Sequence, residues 1–374
     1  MEIKIIDQEE LNLIKEEWNG LLKRSGGDNV FLRWEWIHTW WDVFKEHRTL
    51  AILTAREEGR LVGVAPLYVD RTGPWGRREL RLCSDELYPD GLDIFIENGR
   101  EKEVVGRIWS HILGGTFPWD VIVFDHLRKE SLLLAERAFF GSYGHSFGSP
   151  VNCPYIKMTS DVDGYVRSHP ELKRFSLKKK TERLIAQEHI AYKVIEDESA
   201  LTKGLQDLFL IHDMRAKEKG ITTNFTSIDV RRFHGELSRL FLKEKILRFH
   251  LLYDGNKAIS AVYSFQYKNK VYCYQSGMDP EWKPLSAGMV VMNLAIERAF
   301  KDGLEEFDFL KGDEAYKTIW CDAVRQEMRL VVYGRTCRGV LGYAASKMRT
   351  ALRRVKHVFD RVHPAWRPAR NSLK

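Results

Sequence analysis

Two halves of the chain contain the same order of predicted secondary structure, and this repeat limits the folds available to it. Residues 50–69 are rich in apolar and β-branched residues on both sides of Gly59, and residues 247–265 are similarly arranged around Gly255, so each predicts a β-hairpin. A helix and a short strand follow each hairpin, at 101–113 and 119–127 in the first half and at 289–300 and 307–310 in the second. The repeated order predicts two copies of one mixed α/β domain, each a mixed sheet flanked by helices.

The length of 374 residues suits about two domains of ~150 residues each. We place the first domain at 1–160 and the second at 161–335, followed by a tail at 336–374. The sequence has no uncharged run of ~20 apolar residues and no leader-like start, so we expect neither a membrane span nor a signal peptide. Its five cysteines show no metal-ligand spacing, which favours reduced thiols in a cytoplasmic protein and no metal site.

The tail carries most of the positive charge. From Arg335 to Lys374 eleven basic residues stand against Asp360 alone, a charge of +10, whereas the whole chain carries +7. Apolar residues recur at helical spacing from Tyr343 to Val362. The pattern predicts a basic amphipathic helix that either docks on the body or makes a peripheral contact with an anionic membrane, here the inner face of the cell membrane.

The second half contains the stretch in which we expect the chemistry. A strand from Lys270 to Gln275 is followed by a polar loop, and a helix then begins at Ser286, which can cap it, with Ala287 and Gly288 in its first turn. Small residues at a helix start leave backbone N–H groups open at the positive end of the helix dipole. The stretch therefore predicts an anion site suited to a pyrophosphate. No such start precedes the helix at 101–113, so we expect the first copy to serve structure or acceptor recognition.

This stretch resembles the C-terminal half of the CelD/BcsL-type, BioF2-like acetyltransferases, which belong to the GNAT superfamily and share tandem domains with the Fem peptidyltransferases. The resemblance is carried by Gln275-Ser-Gly-Met-Asp-Pro-Glu-Trp, Ser286-Ala-Gly-Met, Gly303-Leu-Glu-Glu-Phe-Asp-Phe-Leu-Lys-Gly-Asp-Glu and Tyr316-Lys317. Ala287 departs from the family, in which many relatives have Pro. The resemblance implies two tandem GNAT-like acyltransferase domains that use acetyl-CoA or another acyl-CoA as co-substrate, without a metal.

Chemistry and position then suggest roles for individual residues. The residues expected to bind acyl-CoA are Tyr274, Gln275, Ser286, Ala287, Gly288 and Met289. Tyr316 could protonate the departing thiolate, and Asp313 or Glu314 could take the acceptor's proton. Asp308 and Lys317 are expected to orient these groups.

Two segments of the first half are candidates for acceptor contacts. The aromatic stretch from Phe31 to Phe44 has helical spacing and predicts either a core helix or the wall of an acceptor groove, with Trp34, Glu35 or Trp36 facing the acceptor. An acidic loop follows the hairpin and contains Asp85, Glu86, Asp90 and Asp93. It predicts either a solvated turn or a general base that faces a cleft between the domains, and we select Asp90 as the acceptor contact.

A basic segment opens the second half. Residues 150–163 are expected to connect the halves, and a helix at 169–184 then carries a basic cluster between Lys173 and Arg183. The cluster predicts either a solvated face or phosphate recognition, for which we select Lys179. We do not expect nucleic acid as a partner, because no aromatic stacking pattern accompanies the basic residues. In the next helix, from Leu201 to Lys219, we expect His212 to be a packing residue more than a catalytic one.

Together these features predict an acyl-CoA-dependent N- or O-acyltransferase that acts on a small-molecule or glycan-precursor acceptor, such as a sugar or a cell-envelope or exopolysaccharide precursor. Two other classes stay open. One is Fem-like transfer from aminoacyl-tRNA, and the other is a non-catalytic scaffold of a polysaccharide synthesis complex tethered by the basic tail.

Overall fold

The computed structural model describes residues 1–73, 75–135, 138–159, 161–169, 171–172 and 176–362, with 353–362 described as helical backbone only. Its strands are β1 (Glu2–Ile5), β2 (Thr49–Leu50), β3 (Leu53–Glu57), β4 (Arg60–Ala65), β5 (Leu67–Thr72), β6 (Arg77–Leu82), β7 (Phe95–Ile96), β8 (Val121–Arg128), β9 (Gly144–Phe147), β10 (Val151–Lys157), β11 (Ile190–Val194), β12 (Leu247–Asp254), β13 (Lys257–Tyr267), β14 (Lys270–Met278), β15 (Glu306–Asp308) and β16 (Ala323–Tyr333).

Its helices are α1 (Gln8–Leu13), α2 (Lys15–Lys23), α3 (Trp34–Phe44), α4 (Glu101–Leu113), α5 (Leu132–Ala135), α6 (Val162–Ser168), α7 (Leu177–Ile185), α8 (Glu198–Lys219), α9 (Ile228–Lys243), α10 (Ala287–Lys301) and α11 (Cys337–Val362). The helix at 101–113 and the hairpin at 247–265 are confirmed as α4 and β12–β13. Within the described residues, no helix combines the length and apolar character needed to cross a membrane.

Two sheets form the framework. Among the described residues, twelve strands build one sheet in the order β11-β12-β13-β14-β15-β10-β16-β8-β6-β5-β2, with β9 also paired to β16. The remaining strands form a small sheet in the order β1-β3-β4-β7. The last strand, β16, pairs with β10 on one side and with β8 on the other, so it joins the two halves of the chain.

Several expected boundaries are wrong, and each has a local cause. Apolar residues at helical spacing predict one helix over 7–23, but the structure divides it at Ile14, which ends α1 and precedes α2 with a φ of −98° and a ψ of 15°. The second strand of the first hairpin is divided at Pro66, because proline has no N–H for a ladder bond. β4 therefore lies in the small sheet and β5 in the large one. The connector at 150–163 contains β10, a strand at the centre of the large sheet.

Two basic helices differ in extent from the prediction. The helix expected from His169 begins at Leu177 as α7, and Lys173 and Arg174 of the predicted basic cluster lie outside the described residues. The tail helix begins at Cys337, earlier than expected, and residues 363–374 lie outside the described residues.

The aromatic helix α3 packs between the two halves, as the core-helix alternative predicted. Trp36 is fully buried, and its ring centroid lies 5.9 Å from that of Phe265 and 5.7 Å from that of Tyr274. Its indole N–H donates to the Ser84 hydroxyl at 2.9 Å. Burial of such aromatic rings makes a large contribution to stability, so α3 holds the first half firmly against β13 and β14.

Candidate active site

The large sheet opens where β14 passes beyond β15. The two strands pair in parallel only from Lys270 to Tyr272, opposite Glu306 to Asp308. β14 continues to Met278, whereas the chain after β15 turns toward β10. A cavity of about 130 Å³ lies in this gap, with Cys273 to Ser276 on one side and Phe309 to Lys311 on the other. A strand edge that has lost its neighbour presents backbone N–H and C=O groups to a ligand.

A second cavity, of about 330 Å³, extends toward the start of α10. Arg215, Ser276 and Tyr316 line both cavities, so the two are neighbouring parts of one groove. We call this combined space the β14 groove. It brings together most of the residues predicted to bind acyl-CoA: Tyr274, Gln275, Ser286, Gly288 and Met289.

The start of α10 faces the larger cavity with its backbone groups. Ser286 has a left-handed φ of 58°, and its side chain makes no capping bond, so the predicted cap is wrong. The Gly288 N–H donates at 3.1 Å to the sulfur of Met278, a weak acceptor that a stronger one can replace. Ala287 is fully buried and supports the helix start from below. This open helix terminus can bind an anion.

Cationic side chains surround the helix start. Arg215 and Lys219 from α8, and Lys283 from the loop before α10, line the larger cavity. The Lys180 ammonium lies 3.4 Å from the Ser286 hydroxyl. Lys179, the residue selected from the sequence, is exposed and lines neither cavity of the β14 groove. The cations and the helix dipole together give this end of the groove a positive potential.

Tyr316 stands at the junction of the two cavities. Burial raises the pKa of its hydroxyl above the ordinary range, and the neighbouring Ser276 hydroxyl partly offsets this effect. The hydroxyl therefore stays protonated at neutral pH and can donate a proton or a hydrogen bond. The Tyr274 hydroxyl instead donates to the Leu87 carbonyl at 2.6 Å, which fixes that side chain in the core and leaves its backbone for the groove.

Of the other predicted catalytic residues, Lys317 lies in the β14 groove and Asp313 lies outside it. Lys317 lines the smaller cavity, and its ammonium lies 2.8 Å from the Lys311 carbonyl and 2.9 Å from the Glu314 carboxylate. Asp313 is exposed, accepts a bond from Asn152 at 3.3 Å and lines neither cavity. Of the two carboxylates considered as base, the fold thus brings Glu314 to the groove.

Asp308 lies beneath the groove and not in it. Burial acts to raise the pKa of its carboxyl, but the neighbouring cations Lys270, Arg128 and Arg325 outweigh burial and hold the pKa below the usual value. Its carboxylate is 2.8 Å from Arg325 and 3.0 Å from Lys270. This carboxylate therefore stays ionised and links β14, β15 and β16 through its ion pairs. Asp308 was expected to orient Asp313 or Glu314, but it contacts neither of them.

The acceptor contacts expected in α3 also need correction. Glu35 has 0% exposure, and its carboxylate is held by Lys15 at 2.9 Å and Arg33 at 3.0 Å. The Trp34 indole donates to the Leu11 carbonyl at 2.8 Å and stacks on His38. These partners turn both side chains toward the first half, away from the β14 groove.

The acidic loop is not a solvated turn. Asp85 and Asp90 are buried, and Asp85 is bound by the Arg81 guanidinium at 2.6 Å and by the Tyr68 hydroxyl at 2.9 Å. Burial raises the pKa of Asp90 to about 7, and the neighbouring Glu327 carboxylate adds to the effect. Asp90 lines neither cavity of the β14 groove, but its carboxylate is close enough to interact electrostatically with Lys311, which lines the smaller one.

Sequence reasoning missed Arg215, Ser276 and Lys311. Arg215 could have been found, because it lies one helical turn after His212 and so shares a face of α8 with it. Burial lowers the pKa of His212 to about 4, and the side chain packs as predicted. Gly277 permits this close approach of α8 to β14, since a Cβ there would lie 2.7 Å from an Ile211 methyl group.

Residues 173–318 match the Acetyltransferase (GNAT) domain family. No curated protein sequence gives a significant match. Among solved structures, FemX aligns over 88% of this chain and 97% of its own, with a TM-score of 0.60 and 10% identity. L-PGS from Bacillus licheniformis aligns over 90% and 95%, with a TM-score of 0.53 and 12% identity.

The C-terminal domain of a putative lysylphosphatidylglycerol synthetase from Agrobacterium fabrum aligns over 91% of this chain and 96% of its own, with a TM-score of 0.53 and 10% identity. The predicted fold class, a mixed α/β protein with sheets flanked by helices, is confirmed, and these solved structures share the fold. The match of residues 173–318 to a GNAT-type acetyltransferase domain supports an acyltransferase.

Proposed function

We propose that the protein is an acyl-CoA-dependent N- or O-acyltransferase. The observation that carries the proposal is the divergence of β14 from β15 beside the uncapped start of α10. A pantetheine arm is a chain of amides, which an unpaired strand edge can bind as a further strand would. A pyrophosphate needs backbone N–H donors and positive charge, and both surround Gly288.

In this proposal each part of the groove has one task. The backbone of residues 274–278 holds the arm and donates to the carbonyl oxygen of the thioester as negative charge develops there. Ser286 to Met289, with Arg215, Lys219 and Lys283, hold the phosphates. Tyr316 protonates the departing thiolate.

The acceptor would lie between the two halves, with 1–160 as the acceptor side and 161–335 as the acyl-donor side. The resemblance to CelD/BcsL-type enzymes favours a sugar or a cell-envelope or exopolysaccharide precursor. The cavity in the β14–β15 gap supports this position, because Tyr88 from the first half lines it together with Lys311 and Tyr316.

Fem-like transfer from aminoacyl-tRNA is the second candidate. It is favoured by the alignment with FemX over 97% of that chain. An aminoacyl ester on a 3′-terminal nucleotide also presents phosphate and an activated carbonyl, so the same cations and strand edge could bind it.

Calorimetry with the full-length protein distinguishes the two donors. We expect saturable binding of acetyl-CoA, and native mass spectrometry of the purified protein should show a co-purified CoA species. Failure to bind acetyl-CoA, together with acyl transfer from a charged tRNA, would select the Fem-like function.

A further inference from the structure

Three segments with strained backbone meet at one end of the smaller cavity of the β14 groove. Tyr88 in the acidic loop, His126 at the end of β8 and Leu310 after β15 have left-handed φ values of 56°, 64° and 58°. Residues other than glycine rarely adopt this conformation, which costs ~1–3 kcal/mol and persists where it serves a site. The Lys311 ammonium lies where the segments meet, 2.7 Å from His126 Nδ1 and 4.8 Å from the Tyr88 ring centroid. This strain indicates that the position of the ammonium has a function.

The carbonyl group of Asp85 fixes the groups around this ammonium. Its oxygen accepts from the Tyr88 N–H at 3.3 Å and lies 3.0 Å from His126 Nε2, which therefore carries the ring proton and donates. The Nδ1 atom of His126 is then an acceptor, and it faces Lys311. Burial lowers the pKa of His126 to about 4, so the ring is neutral at neutral pH and adds no charge to the site. The Lys311 ammonium is thus held by an uncharged partner.

The Lys311 ammonium has no close anionic partner. Within the part of the chain that the structure describes, no carboxylate oxygen lies within 4.0 Å of it. Burial lowers the pKa of Lys311 from its ordinary value, and the more distant carboxyls of Asp90, Glu327 and Asp125 offset this effect only in part. An ammonium buried without a close counter-ion is costly, and an anionic ligand stabilises its charged form. The site therefore favours a ligand that brings negative charge.

The walls of the smaller cavity carry more positive than negative charge. Among the described residues, it is lined by three cationic side chains and one carboxylate: Arg215, Lys311, Lys317 and Glu314. The Glu314 carboxylate pairs with Lys317 at 2.9 Å. Arg215 also lines the larger cavity, where it is assigned to the phosphates of CoA. Lys311 is therefore the cation left for an acceptor, and Tyr88, with 52% of its surface exposed, lies next to it.

We propose that Lys311 and Tyr88 select the acceptor and that the acceptor is a sugar acid, whose carboxylate binds the Lys311 ammonium and whose ring lies against Tyr88. The proposal rests on the acyl-CoA function inferred above and specifies its acceptor class. A tyrosine ring presents an apolar body, which suits the C–H face of a sugar ring. The contact between an ammonium and a carboxylate is a charge-assisted hydrogen bond, which is short and strong. Neither side chain has a part in the binding of CoA proposed above.

A carboxylate suits this site better than a phosphate. The carboxyls of Asp90 and Glu327 lie close enough to influence Lys311, so the site offers at most one positive charge to a ligand. A carboxylate brings one negative charge, whereas a phosphate monoester brings ~1.5–2. Lys311 and Tyr88 share the smaller cavity with Tyr316, so a sugar held by them has its free hydroxyl or amino groups near the proposed proton donor.

The test compares three sugars that differ only at C6, namely glucuronate, glucose and glucose 6-phosphate, with the full-length protein saturated with CoA. Saturation-transfer NMR reports sugar binding, and calorimetry reports acetyl-CoA binding. We expect glucuronate to bind and glucose to bind at least ~10-fold more weakly, which is the loss for one charge-assisted hydrogen bond. Lys311→Met should weaken glucuronate binding by a similar factor and leave acetyl-CoA affinity unchanged. Lys301→Met, at an exposed position, is the matched control and should change neither affinity.

A second pair of variants tests the ring. Tyr88→Asn removes it, and asparagine adopts left-handed backbone more readily than most residues, so glucuronate binding should weaken several-fold while the loop keeps its conformation. Tyr88→Phe, which keeps the ring, should restore most of that affinity. Should Lys311→Met fail to fold, equal glucuronate affinity in Tyr88→Asn and the unmodified protein would count against the proposal.

Each other outcome has a definite meaning. Four results would overturn the acceptor assignment and leave the proposed function standing: no binding of glucuronate while acetyl-CoA binds, equal binding of glucose, tighter binding of glucose 6-phosphate, or unchanged glucuronate binding in Lys311→Met. Absence of acetyl-CoA binding would instead overturn the proposed function itself.

Discussion

The Lys311 ammonium lies 2.7 Å from His126 Nδ1, a contact between residues 185 positions apart in the chain. Lys311 belongs to the turn after β15, and His126 to the bulged end of β8. The Lys311 ammonium also lies 4.8 Å from the Tyr88 ring centroid. The turn that carries Glu314 and Tyr316 is thus fixed against the first half, so the geometry of the β14 groove depends on both halves of the chain.

The start of α10 should control affinity for acyl-CoA. Gly288→Glu adds bulk and negative charge, and a Cβ at this position would lie 3.3 Å from the Met278 sulfur. We expect acetyl-CoA affinity to fall at least tenfold, because a carboxylate there competes with an anion for the helix terminus. Calorimetry measures the change, and Gly235→Glu is the control, since a Cβ there has no heavy atom within 4 Å. Equal affinities in the two variants would show that the anion site lies elsewhere.

Tyr316→Phe should separate catalysis from binding. The change removes the hydroxyl and keeps the ring, so acetyl-CoA affinity should stay within about twofold of the normal value. Turnover should fall by ~10²–10⁴-fold because a proton donor is lost. Steady-state kinetics with an accepted substrate provide the measurement, and Tyr333→Phe in β16 serves as the control. Normal turnover in Tyr316→Phe would remove this residue from the proposed mechanism.

Glu35 should matter for stability instead of ligand binding. Burial acts to raise the pKa of its carboxyl, but hydrogen bonding with Lys15 and the charge of Arg33 outweigh burial and lower the pKa to about 2. Glu35→Gln removes the buried carboxylate partner of Arg33 and Lys15, although both cations keep Glu244, and should lower the free energy of unfolding by ~1–3 kcal/mol. Chemical denaturation measures the loss. The control Glu16→Gln, at an exposed position, should leave the free energy of unfolding almost unchanged. A loss below ~1 kcal/mol for Glu35→Gln would contradict the stabilising role assigned to Glu35.

Acid sensitivity should depend on His234. Burial lowers its pKa to about 3, far below the ~6.5 of the unfolded chain. Between these values the unfolded state binds the extra proton, so stability from this group is complete above pH 6.5 and decreases as the pH falls. When the pH falls from 7 to 5, the free energy of unfolding of His234→Phe should therefore decrease by ~2 kcal/mol less than that of the unmodified protein. Denaturation at both pH values tests this, with His189→Phe at an exposed position as the control; parallel losses in all three proteins would refute it.

The sequence predicted the order of elements well because each rests on a local pattern. The apolar period of α4 and α8 and the turn at Gly255 are visible within a few residues. The position of β10 and β16 was not predictable, since strand order depends on which distant segments pair. Pairing across the whole chain places these two strands between β15 and β8.

The same distinction between local pattern and distant pairing applies to the residues of the candidate site. Gly288 and Tyr316 were found because they lie in a continuous stretch with a recognisable order. Lys311 lies in that stretch too, but its importance comes from His126, and only the fold brings these side chains together. Glu35 was misassigned because an acidic residue in an aromatic segment looks exposed until its buried partners Lys15 and Arg33 are known.

The basic tail should bind anionic membranes weakly and reversibly. In α11 the exposed apolar residues Leu341, Met348 and Leu352 are spaced to share one face, and Lys347 and Arg349 lie near them. Each basic residue close to an anionic surface contributes ~1 kcal/mol, and salt screens this attraction beyond ~10 Å at 0.1 M.

Flotation with vesicles of phosphatidylcholine and phosphatidylserine is the direct measurement. The full-length protein should float with the vesicles at low salt and much less at about 0.5 M salt. The distance over which charges attract is already only ~10 Å at ~0.1 M salt, and it shortens further as the salt concentration rises. Pure phosphatidylcholine vesicles should bind little, because they lack the charge that attracts the tail. A chain shortened after Gly334 should lose the binding at low salt. Equal flotation of the full-length and shortened chains would assign any membrane contact to the body of the protein, and the tail would then have no part in it.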